Sequence, residues 1–69
     1  MNYLNHVKRE VKEVYKKERD NETAHQIEDQ LYAQVLRWIA SGEISGEEAA
    51  LCAAEALKTA DVNFERWFA

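Results

Sequence analysis

Apolar residues recur along this chain at steps of three and four, the spacing of one face of an α-helix, and nowhere alternate long enough to make a strand. In the first segment Leu4, Val7, Val11 and Val14 follow that rhythm, with Tyr3 and Tyr15 on the edges of the stripe. Glu18 would fall in the middle of it, so the packed part of this helix is expected to end near Tyr15. Asp20 and Asn21 follow as a natural break, with Asn21 or Thr23 as the next N-cap and Thr23 to Gln26 at capping-box spacing. With neither Gly nor Pro there, a bent continuous helix across residues 18–24 stays open as the alternative.

The second segment aligns Ala24, Ile27, Leu31, Val35 and Trp38, and Tyr32, Leu36 and Ile39 widen that arc to about half the helix circumference. A helix that touches two neighbours needs such an arc, which predicts this segment as the central element of a bundle. The third segment is read as Ala50, Ala53, Leu57, Ala60 and Phe64, continuing to Trp67 or Phe68. Its small residues would let helices approach closely near the turn, and its aromatics would fill a wider gap near the C-terminus. On this reading Leu51, Cys52 and Val62 lie on the far side. Asp61 offers an alternative ending, with the third helix stopping near Ala60 and a short C-terminal helix following.

Between the second and third segments stands Ala40-Ser41-Gly42-Glu43-Ile44-Ser45-Gly46-Glu47-Glu48, which holds the only two glycines of a proline-free chain. Gly42 can adopt the left-handed conformation that closes a helix C-terminus. Ser45 reads as an N-cap, with Glu48 completing a capping box and Ile44 set to staple onto Ala49. The phrase looks like the turn of many unrelated helical hairpins and points to no one family. The expected fold is all-α: a small three-helix bundle built on an antiparallel helical hairpin. It is one domain over residues 1–69, with helices at about 3–19, 23–41 and 46–67.

A chain of 69 residues has room for one modest core, so a partner chain would help to stabilise it. Cys52 is the single cysteine, which rules out an intrachain disulfide and a cysteine zinc set. No apolar run nears the length of a membrane span and no signal-peptide pattern opens the sequence, so the expected location is cytoplasmic, with no membrane partner. The net charge of −4 is unevenly divided. Residues 1–20 carry six basic and four acidic side chains, a net of +2, and the remainder is −6. The basic first helix is expected to pack against the acidic remainder of its own chain, a separate basic surface being the other reading.

Candidate chemistry changes this picture little. Glu22 and His25 have the Glu-x-x-His spacing of carboxylate-bridged metal bundles, but no further inward carboxylate is visible, so no metal or cofactor is expected. His6 and Glu10 could share a proton, yet no pocket or orienting group accompanies them. Cys52 lies near Glu48, Glu55 and Thr59, an environment that raises a thiol pKa and suits a passive role. Arg9, Lys12, Lys16 and Arg19 form a basic arc that could meet phosphates. A helix-turn-helix reader is disfavoured, because the third helix opens on Gly46-Glu47-Glu48.

Phe64, Trp67 and Phe68 crowd the last six residues beside Arg66, a composition enriched at interfaces, although closing the core is their simpler use. The function expected is a non-enzymatic protein–protein interaction module. It would be a small regulator or inhibitor of the kind phages and mobile elements encode, including against host defence, acting on a larger protein as a homodimer. Leu51, Val62, Phe64, Arg66, Trp67 and Phe68 are its expected contact residues. Nucleic-acid binding through the basic arc is the alternative, with acidic mimicry of nucleic acid by Glu43, Glu47, Glu48, Glu55 and Glu65 beside it.

Overall fold

The computed structural model describes residues 2–64. Three α-helices, α1 (Tyr3–Lys16), α2 (Asn21–Ala40) and α3 (Gly46–Ala56), pack against one another, and a 3₁₀ segment (Leu57–Asp61) extends the third. The fold is the expected all-α three-helix bundle, with no strand among the described residues.

Each helix begins and ends for a local reason. The Asn2 side chain accepts a hydrogen bond from the Asn5 amide at 2.9 Å and so caps α1. After Lys16 the chain breaks in a short turn in which the Asp20 amide donates to the Lys17 carbonyl at 2.8 Å. Asp20, not Asn21 or Thr23, is the N-cap of α2: its carboxylate accepts from the Thr23 amide at 3.2 Å and the Thr23 hydroxyl at 2.8 Å. Those charge-assisted bonds hold the Asp20 carboxyl below its ordinary value, the Thr23 side chain first and its backbone second.

At the other end of α2, the Gly42 amide donates to the Ile39 carbonyl and the Glu43 amide to the Trp38 carbonyl, a complete Schellman motif. Gly42 supplies the positive φ of 81° that the motif requires. The capping box expected at α3 does not form, since the Ser45 side chain makes no cap hydrogen bond. Gly46 begins α3 at φ 54°; a left-handed first residue turns the Ser45 side chain out of line with the amides of the first turn. Ile44 still anchors this entry, buried in the core with Ala49 packed against the same cluster.

The core has two parts. The larger joins Val7 and Val11 of α1, Leu31, Val35 and Trp38 of α2, Ile44, and Cys52 and Ala56 of α3. Trp38 is its anchor, meeting Tyr3 edge-on at 4.8 Å and His6 at 5.5 Å between ring centroids. The smaller joins Val14, Ala24, Val62 and Phe64, with Ile27 against them, and closes the end of the bundle near the α1–α2 break.

Two expectations about packing are corrected. The central element is α1 rather than α2: α1 packs extensively on both other helices, and α2 and α3 share the smallest of the three interfaces. Its narrow valine stripe suffices because α2 and α3 both lean on it, which leaves part of the wide apolar arc of α2 uncovered. The buried face of α3 is also not the expected one. Cys52, Ala56, Thr59 and Val62 point inward, whereas Ala50, Leu57 and Ala60 face outward.

The α-helical part of the third segment ends at Ala56, short of both expected endings. The Thr59 hydroxyl donates to the Ala56 carbonyl at 3.1 Å, a local bond that competes with helical pairing and favours the tighter 3₁₀ geometry. The same oxygen lies 2.7 Å from the Tyr32 hydroxyl. Either hydroxyl can donate in that contact. This bond ties the end of α3 back to α2, in the antiparallel sense set by the Gly42 turn. Glu28, which the apolar pattern passed over, is buried beside it with Oε2 3.5 Å from the Tyr32 hydroxyl.

Candidate interaction surface

Four of the five large apolar side chains that meet solvent among the described residues lie on the α2–α3 hairpin and its 3₁₀ extension, the fifth being Tyr15 of α1. Leu36 is 65 % exposed, Leu57 63 %, Leu51 48 % and Ile39 40 %. Between the two helices lies an open cleft of about 260 Å³ lined by Tyr32, Val35, Leu36, Ala53, Ala56 and Leu57. It exists because α2 and α3 both pack more closely on α1 than on each other. Its walls are almost wholly apolar, so an apolar side chain can enter without stripping water from a polar group. A second hollow of about 210 Å³, between α1 and α2, has a more polar lining that includes His6, Glu10, Gln30 and Gln34.

The expected contact residues are scattered. Leu51 is exposed on α3. Val62 and Phe64 are 2 % and 7 % exposed and packed with Val14 and Ala24, so they serve the chain's own core. Arg66, Trp67 and Phe68 lie outside the described residues. Helical spacing alone assigns Leu36, Ile39 and Leu57 inward, and the structure turns them to solvent. The warning in the sequence was the width of the α2 arc, more than one narrow valine stripe could cover, together with a second small-residue stripe on α3.

The basic arc is a separate surface rather than a partner for the acidic part of the chain. Lys8, Arg9, Lys12 and Lys16 are all exposed along α1, and Arg19 is exposed in the turn after it. Lys16 pairs with Glu13 at 3.2 Å on its own helix. Lys8, Arg9 and Lys12 form no ion pair among the described residues.

The titratable side chains have ordinary neighbours. His25 Nε2 lies 3.3 Å from Asp29 Oδ2, and His6 Nε2 lies 3.9 Å from Glu10 Oε1. Among the described residues no three His, Cys, Asp or Glu side chains gather as a metal site. Burial pushes the Cys52 thiol up, and Glu48 adds to the effect. Tyr3 is also raised, by desolvation first and then by Glu43, whose Oε1 accepts from its hydroxyl at 3.3 Å. No helix among the described residues is long and apolar enough to cross a membrane.

No protein-family model matches this chain, and neither the search of curated proteins nor that of solved structures returned a match. The functional reading therefore rests on the surface itself.

Proposed function

We propose that this protein is a non-enzymatic interaction module, a small regulator or inhibitor that docks on a larger protein through the outer side of its α2–α3 hairpin and is presented as a homodimer. The observation that carries the reading is the pair of exposed leucines, Leu36 of α2 and Leu57 of α3, that line an apolar cleft between the two helices, with Ile39 exposed one turn along α2 from Leu36. Single exposed apolar residues are ordinary, but several gathered around one cleft are the usual signature of a protein contact. The hairpin also exposes charges of both signs, Arg37 and Lys58 and Glu43 and Glu47, as the polar border around an apolar contact does.

The test is affinity capture from the native host by wild-type protein and by Leu36→Asp and Ile39→Asp variants, which change α2 alone. The reading predicts a protein retained by wild type and lost with both variants while helical content is unchanged. Equal capture by wild type and variants, or none by either, would overturn it.

A second reading has its own observation in Lys8, Arg9 and Lys12 along α1, which are exposed and form no ion pair among the described residues. Phosphate binding there would weaken steeply with salt, by about 0.9 per neutralised phosphate in log K against log salt on duplex DNA. A titration at low salt with random-sequence duplex checks it, and absence of binding removes it.

A further inference from the structure

The third helix has two apolar faces, and the described residues of this chain cover only one of them. Ala49, Cys52 and Ala56 point toward α1 within the core. On the opposite side Ala50, Leu51, Ala54 and Leu57 are all exposed, spread over about a third of the helix circumference with Leu51 at one edge and Leu57 at the other. Glu47 stands at the N-terminal end of this face and Lys58 at its C-terminal end, both exposed.

We infer that a second copy of this chain covers this face, its α3 lying antiparallel to the first across a two-fold axis that passes near Leu51 and Ala54. The inference rests on the reading of the hairpin's outer side as an interaction surface and assigns the self-contact to one helix and one register. Its argument is self-complementarity, since a two-fold contact must satisfy the same patch twice.

The end charges favour this pairing. Antiparallel packing sets Glu47 of each protomer beside Lys58 of the other, so both ends are matched. Parallel packing would place Glu47 against Glu47 and Lys58 against Lys58. Within its own chain Lys58 reaches Glu55 at 3.0 Å, with its side chain still 59 % exposed, and can be shared with Glu47 of the partner at a small cost. The sizes match in the same register. Leu51 of each copy falls over Ala54 of the other, and the alanines allow close approach of the two helices.

The covered helix is short. Eleven residues of α3 span about 16 Å, which puts the contact at the small end of specific interfaces and predicts a reversible dimer at micromolar or higher concentration. Ile39 lies on α2 away from this contact, and Leu36 meets it only at the cleft edge beside Leu57, so the α2 side stays open for the larger partner.

Sedimentation equilibrium of the full chain over a wide concentration range tests the inference. Wild type is expected to move from monomer to dimer as concentration rises. Leu57→Asp is expected to abolish the shift with helical circular dichroism retained. Glu47→Lys and Lys58→Glu are each expected to weaken dimerisation by roughly five- to thirty-fold through two like-charged contacts. The double reversal, Glu47→Lys with Lys58→Glu, is expected to restore it. A monomer at every concentration, a dimer indifferent to Leu57→Asp, or a double reversal no better than the single changes would each overturn the inference. The capture experiment with Leu36→Asp and Ile39→Asp is read separately, so loss of the dimer contact and loss of the partner-binding reading are distinguishable.

Discussion

The two faces of α3 are built from similar residues and have opposite fates. The inner one offers Ala49, Cys52 and Ala56 and is buried against α1; the outer one offers Ala50, Ala54 and Leu57 and meets solvent. Size and hydropathy alone do not choose between them, since the larger aliphatic residues, Leu51 and Leu57, lie on the exposed side. What decides is fit. The valines of α1 are short and β-branched, and a close approach to them suits Cys52 and Ala56 better than a leucine, while Thr59 finds a hydrogen-bond partner in Tyr32 only when it faces inward. A helix in a small bundle can thus spend its small residues on its own core and keep larger ones for contact outside it.

If that division is right, inner and outer substitutions should separate widely in stability. The largest effect is expected for Trp38→Ala, which removes the anchor shared by Tyr3, His6 and the Ile44 entry; about 3–5 kcal/mol is the usual cost of such a truncation. A single core of this size supplies little more than that in total, so the variant should be largely unfolded by circular dichroism at room temperature. Gly42→Ala comes next. There is open space for the added Cβ, yet φ stays positive, so the cost is backbone strain of about 1–2 kcal/mol, readable in a urea melt.

Tyr32→Phe should cost about 1 kcal/mol by removing the bond to Thr59 that ties the end of α3 to α2. The same melt series checks it. Acid should act more weakly through the α2 cap. The Asp20 carboxyl lies below its ordinary 3.8 in the folded chain, so its stabilisation is present above that value and is lost as pH falls through the lower folded one. Asp20→Asn keeps a good cap without the titration, and its melting temperature should fall less steeply with pH below about 4 than that of wild type.

Much of the fold was legible in the sequence because helix punctuation is local. The Gly42 turn, the stripe on α1 and the Ala24-to-Trp38 line on α2 each depend on residues close in sequence, and they stand as read. The break after Lys16 was legible only as one of two options, because Asp20 caps through Thr23 with no glycine or proline to mark the boundary. The rotation of α3 was not legible. Its two stripes lie on different sides of the helix and are similar in composition, and the choice rests on Thr59 meeting Tyr32, a contact 27 positions apart. The candidate surface was hidden by that same choice, since Leu57 read as core and Val62 as exposed.

The most direct test of this account is the unfolding free energy of the double variant Leu36→Ser with Leu57→Ser, measured in urea at low protein concentration where the chain is monomeric. The account predicts a value within about 0.5 kcal/mol of wild type for each substitution, the range for surface changes away from packed features. A loss of 2 kcal/mol or more per site, the scale of a core leucine truncation, would mean that these leucines hold the bundle together and that its outer face is not free for a partner.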